Sequence, residues 1–139
     1  MKDRFVGTWV LNVEKSEFDI NHRPQSGIMT VEIDEEGYYL QKAEGINENG
    51  EAIKERPMRF IPDGKAHLVP DFPGLTYVAA RPDSYTITSE ARRADGSAVG
   101  GSTTVVAADG QSKTVTNFGH DSQMRKFRMT TVWDRQQPG

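Results

Sequence analysis

Three histidines, one arginine and a proline-bounded acidic loop are the side chains of this 139-residue chain whose types and spacing suggest chemistry. His67 alternates with Val69 in a short apolar run, directly before Pro70-Asp71-Phe72-Pro73-Gly74. An imidazole beside a carboxylate can move a proton at neutral pH. His67 and Asp71 are therefore the candidate acid–base pair of a cofactor-free isomerase, cyclase or lyase. The plain alternative is a surface or core-edge histidine. Arg56 shares a face with Met58 and Phe60. If that face is interior, its guanidinium would clamp a polar ligand group through two hydrogen bonds; an exposed Arg is the commoner arrangement. Among His22, His67 and His120 no two are spaced as ligands on one element, and the chain has no Cys, so no metal site is expected. Serine-nucleophile motifs, phosphate loops and dinucleotide fingerprints are absent, and no cofactor is expected. Gly100-Gly101 inside a strand-like run marks a bend or bulge.

Short strands must position these groups. Phe5, Trp9, Leu11 and Val13 alternate on one face of the opening run, with Gly7 among them. A glycine there signals a bend or a close backbone approach. Residues 15–24 read as an irregular cap. From Gln25 onward, turn signals arrive at regular intervals: Asp34–Gly37, Asn47–Gly50, Pro62–Gly64, Arg81–Ser84, Ala94–Ser97, Ala108–Gln111 and Gly119–Ser122. The run from Glu51 to Ile61 carries Pro57, which cannot donate to a ladder and so belongs at an edge, a bulge or a gap. The final run places Phe127, Met129 and Trp133 on one face. No helix of ordinary length is needed. The pattern predicts one all-β domain over residues 1–139 of about ten strands (eight as the alternative), an up-and-down antiparallel β-barrel without a large helical lid.

Composition narrows the class of partner. Apolar residues are 35% of the chain, which suits strands that give every second residue to water. A net charge of -3 with no basic run argues against nucleic acid. No stretch approaches the ~20 apolar residues of a membrane-spanning helix. Met1-Lys2-Asp3-Arg4 runs straight into the first strand, so a cytoplasmic protein is expected, with a mature secreted form recloned behind a new Met as the alternative.

The phrase Phe5-Val6-Gly7-Thr8-Trp9-Val10-Leu11 resembles the first strand of fatty-acid-binding proteins and, more loosely, the Gly-x-Trp strand of lipocalins, which together form the calycin superfamily. The ending Thr131-Val132-Trp133-Asp134-Arg135 sits where fatty-acid-binding proteins carry an aromatic followed by an acid and a base. Gly7–Asn12 with Lys15–Phe18, and Asp109–Thr116, also look like a group of bacterial lipocalin-like proteins of unassigned function. The resemblance implies a calycin-like barrel around a ligand cavity, with the fourth and fifth strands parting near Pro57. It does not extend to the helix-turn-helix lid, for which residues 15–24 are too few. Nor does it extend to the carboxylate clamp, because Thr131 and Trp133 stand where an Arg and a Tyr would be.

Roughly eight strands enclose a bore that side chains can fill, and ten leave room for a ligand. The expected function is uptake of a small, largely hydrophobic molecule. The mouth would be framed by residues 19–24 and 71–74, with the 47–50 turn as a further candidate. Phe72, Tyr77, Met58, Met29, Met129 and Thr131 are the candidate lining, with Ile20 at the rim and Arg56 or His67 fixing orientation. Trp9 is read as a plug of the barrel base, packed with Phe127 and Trp133. Two face assignments stay open: Lys42 and Glu44 point inward, or Gln41 and Glu55 do. The competing readings are an enzyme using the same cavity, and a filled barrel acting through its surface as a monomer or homodimer, for which Tyr39 is the hint.

Overall fold

A computed structural model of the chain describes residues 3–18, 23–55, 57–69, 72–120 and 126–136. Eleven antiparallel strands run in chain order: β1 (Gly7–Glu17), β2 (Ser26–Ile33), β3 (Tyr39–Ile46), β4 (Ala52–Lys54), β5 (Met58–Phe60), β6 (Ala66–Leu68), β7 (Leu75–Asp83), β8 (Thr86–Arg93), β9 (Ala98–Val106), β10 (Ser112–His120) and β11 (Lys126–Arg135). The expected fourth strand is divided at Pro57, which gives one strand more than the alternation predicts. Glu44 pairs with Lys54 but Gln41 pairs with Met58, so one extra residue is accommodated between β4 and β5. A one-residue slip moves side chains to the other face.

β1 to β4 and β6 to β11 pair in chain order, β5 pairs with β3 beside β4, and β1 also pairs with β11. The result is an up-and-down meander in which first and last strands meet. Among the described residues no ladder joins β4 or β5 to β6. The Ile61 N–H instead donates to the Tyr77 hydroxyl across this seam at 3.3 Å. Six turns share one device. Asp34, Asn47, Asp63, Asp83, Asp95 and Asp109 each accept the backbone N–H two residues ahead through a side-chain oxygen. Short local capture of this kind makes a hairpin at five of these sites, while the Asp63 turn joins β5 to β6, which do not pair.

β1 continues to Glu17, beyond the strand end that alternation suggests, because a side chain replaces part of its ladder. The Ser16 hydroxyl donates to the Asn12 carbonyl at 2.7 Å and accepts the Val132 N–H at 2.8 Å. The register with β11 shifts at this point, bending the strand around the barrel.

The packed core is Phe5, Trp9, Met29, Val31, Tyr39, Ile87, Val106, Val115 and Trp133, with Leu11, Ala43 and Phe60 against it. Tyr39, suggested by the sequence as an outer aromatic, is buried here at 4% exposure and stacks on Phe60. Trp9 and Trp133 do pack in one cluster, whereas Phe127 lies at the far end of β11 opposite Gly119, outside it.

Candidate functional site: the barrel lumen

The ladder registers determine which side chains look inward. Trp9, Met29 and Ala43 lie abreast across β1, β2 and β3, and Trp133, Lys113 and Val106 across β11, β10 and β9. Alternation from these anchors puts Tyr39 and Gln41 inside and Lys42 and Glu44 outside. The described β3 therefore brings no charge into the lumen.

Fill differs sharply along the axis. Near the turns at Asp34, Asp83 and Asp109 the inward residues Val31, Tyr39, Ile87, Val106, Lys113 and Trp133 are all buried. Farther along the same strands, inward Tyr77, Ser89, Ser102, Asn117 and Met129 are only half-buried, while the small inward Ala79 beside Ser89 is fully buried. Glycines let β2 and β3 approach closely there. A Cβ on Gly45 would collide with the Ser26 carbonyl, and one on Gly27 would press on Leu11 and Trp133 at 3.3 Å. A cleft of about 530 Å³ runs over the rim there, lined by both faces of β2, β3 and β4, including Gly27, Gly45, Ile46 and Ile53.

The closed end is built on Trp9, which is fully buried and donates its indole N–H to the Phe5 carbonyl at 3.1 Å. The Arg135 guanidinium lies 4.2 Å from the ring centre, and the Lys113 ammonium nitrogen 4.7 Å. Among the described residues Arg135 is satisfied by carbonyls, donating to Arg4, Val6 and Gly110, each at 2.7 Å. Gly7 makes this possible: its φ of 142° is open to glycine, and a Cβ there would sit 2.5 Å from the guanidinium.

Lys113 is less well provided for. Its side chain is buried and its Nζ meets the Met29 thioether sulfur at 3.1 Å. Burial, helped by the charge of Arg135, pulls the amine down to about 7. A third basic group, Arg81, has an acid. It donates to the Asp3 carboxylate and, at 2.6 Å, to the Tyr39 hydroxyl, which itself donates to Asp3 at 2.7 Å. Burial pushes the Tyr39 hydroxyl up to about 12, reinforced by Asp3. Burial would raise Asp3 as well, but bonds from Arg81, the Phe5 N–H and Tyr39 outweigh it and hold the carboxyl low. This triad links β3 to β7 across the seam.

His67 faces inward beside the same seam. Its Nε2 lies 2.9 and 3.0 Å from the two oxygens of Asp63, and its ring stacks on Tyr77 at 5.3 Å between centroids. The Lys65 N–H, followed by His67, keeps the Asp63 carboxyl below its ordinary range. Asp63, four residues earlier, is thus the acid that His67 meets; Asp71 lies outside the described residues.

The other candidates scatter. Arg56, Ile20 and His22 lie outside the described residues, and the side chain of His120 does too. Met29 and Thr131 belong to the packed end, where Thr131 accepts the Trp133 indole N–H at 2.9 Å. Met129 and Tyr77 face the open half, while Met58 and Phe72 are about half exposed. Lys113, Asp63 and the Asp3–Tyr39–Arg81 triad were not singled out from the sequence. On β10 the odd positions Lys113, Val115 and Asn117 look no more apolar than the even ones, which end in the outward Phe118.

No protein-family model matches the chain, and no curated protein matches its sequence. Solved structures do. The chain is similar to the crystal structure of the fluorescent protein UnaG, with a TM-score of 0.63, 12% identity, and coverage of 98% of this chain and 100% of that one. It is also similar to secretory abundant heat soluble protein 4 from Ramazzottius varieornatus, with a TM-score of 0.60, 11% identity, and coverage of 99% and 98%. These likenesses establish the fold, an up-and-down β-barrel.

Proposed function

We propose that this protein binds a small, largely apolar molecule in the open half of its barrel. One observation carries the reading: inward side chains are packed solid at one end and, the small Ala79 apart, left half-exposed along the rest of the same strands. A lumen edged by Met129 and Tyr77 offers apolar area, while Ser89, Ser102 and Asn117 supply sparse hydrogen-bonding groups for orientation. That mixture is typical of small-molecule sites. A similar barrel occurs in a fluorescent protein and in a heat-soluble one, so ligand chemistry must come from this chain's own lumen.

An environment-sensitive apolar dye should bind with one-to-one stoichiometry, seen by fluorescence and by native mass spectrometry. A panel of apolar alcohols should displace it. Failure of every member of such a panel to bind would overturn the reading.

A second reading, proton transfer without a cofactor, draws on the His67–Asp63 contact. A carboxylate holding Nε2–H would leave Nδ1 as a base beside Tyr77. Exchange of solvent deuterium into an apolar methyl ketone, lost in His67→Ala with binding retained, would favour it. Equal exchange in the two proteins would remove it.

A further inference from the structure

We propose that Lys113 is a covalent docking point within the lumen, its ε-amine condensing with the aldehyde of an apolar ligand to form an imine. The inference rests on the lumen-binding reading and adds the class of ligand headgroup.

Position is the first argument. Lys113 is on the inward face of β10, abreast of Trp133 and Val106 in the packed end, with Val115 between it and Asn117. From Asn117 in the open half, four residues of strand lead down to it, about 13 Å at 3.3 Å per residue. A slender chain entering from the mouth would meet it at the bottom.

Chemistry is the second. The lysine is 2% exposed, yet among the described residues its recorded polar contact is a thioether, a weak acceptor. Three acids of the closed end have other partners, and the Glu55 carboxyl, opposite Ala43, is raised by burial with no basic partner among its causes. Asp134 accepts the Asn12 amide at 2.9 Å, Asp109 caps its own turn, and Asp3 holds Arg81. Arg135 shares the Trp9 ring with Lys113 and repels a second cation. An amine with no anion, beside a guanidinium and out of water, favours its neutral form, and the neutral form is the nucleophile. The lowering toward 7 agrees with this. A structural lysine would be expected to have an acid, as Arg81 has. Met29, the wall against Nζ, is an unbranched side chain able to swing aside.

The step balances without a co-reactant. The amine nitrogen attacks the carbonyl carbon and its proton passes to the oxygen. Loss of water from the carbinolamine then leaves C=N, with nothing oxidised or reduced.

The test uses decanal as probe with sodium cyanoborohydride at pH 7, followed by intact mass and peptide mapping. One decyl group per chain is expected, at Lys113, with at least a tenfold preference over the other lysines. Decanol should compete. The labelling rate should level off above about pH 8, whereas surface lysines, with ordinary values near 10.4, should keep gaining. Lys113→Met should take up decanol and dye yet lose the adduct. If wild type binds decanol but labels its lysines indiscriminately, or not at all, the imine is overturned while lumen binding stands. If neither decanol nor dye binds, both readings fall.

Discussion

The two ends of this barrel are made by the same strands and differ in what fills them. At the closed end large side chains meet: Trp9, Trp133, Met29 and Tyr39 are buried, and three basic residues are held among them. At the open end the inward positions carry Ser89, Ser102 and Asn117, small polar side chains that stay half-buried. Alternation alone does not distinguish the ends, because both obey it. Side-chain volume does. Stability is therefore concentrated at one end and free volume at the other, and substitutions should sort accordingly.

Trp9→Ala should have the largest effect. It removes a fully buried indole and the ring that Arg135 and Lys113 share. The expected loss is ~3–5 kcal/mol, read from urea unfolding. A loss below about 1 kcal/mol would mean that the closed end is not the stabilising half.

Lys113→Met comes next, with the opposite sign. The folded-state value near 7 lies below the ordinary lysine value, so between roughly pH 7 and 10 the unfolded chain binds more protons. The lysine's penalty is complete below pH 7 and fades as pH rises toward 10. Replacement by Met should stabilise the protein on the order of 3–4 kcal/mol at pH 7. It should also flatten the climb of stability between pH 7 and 10. An unchanged pH profile would show that Lys113 has an acid partner in solution.

Tyr39→Phe is smaller, about 1–2 kcal/mol, because it removes one hydroxyl but leaves Asp3 paired with Arg81. The raised value of Tyr39 makes wild-type stability fall above pH 10, where the unfolded chain ionises first. The variant should lose that fall. Persistence of the same decline would assign it to another group.

Much of this architecture is legible in the sequence for local reasons. Asx residues two positions before a captured N–H announce six turns, and Gly7 with Trp9 announces the opening strand. Long-range partners are another matter. Tyr39 meets Arg81 and Asp3 only after the meander has closed, and nothing in its own strand separates inside from outside. Lys113 sits on a strand whose two faces are equally mixed. His67 found Asp63 because the bend at 63–65 turns the chain back on itself, a geometry that proximity to the Asp71-Phe72 loop does not suggest. The inserted residue near Pro57 also reverses the faces partway along one strand.

Met129→Trp sharpens the contrast from the open side. Met129 is inward on β11, half-buried, abreast of Asn117 and Ser102, and lies above Thr131 and Trp133 on the same face. In a filled barrel a larger ring at this site would overpack, at a cost of roughly 1–3 kcal/mol. In a half-empty one the indole lies over the floor that Trp133 already makes and displaces water. Stability should then change by less than about 0.5 kcal/mol, within the range of substitutions outside a packed core. Dye binding should still weaken at least tenfold, because the indole occupies the ligand's volume. Urea unfolding and fluorescence titration on one preparation separate the two cases. A destabilised variant with undiminished dye binding would mean that the two ends are equally packed and that the ligand, if there is one, sits elsewhere.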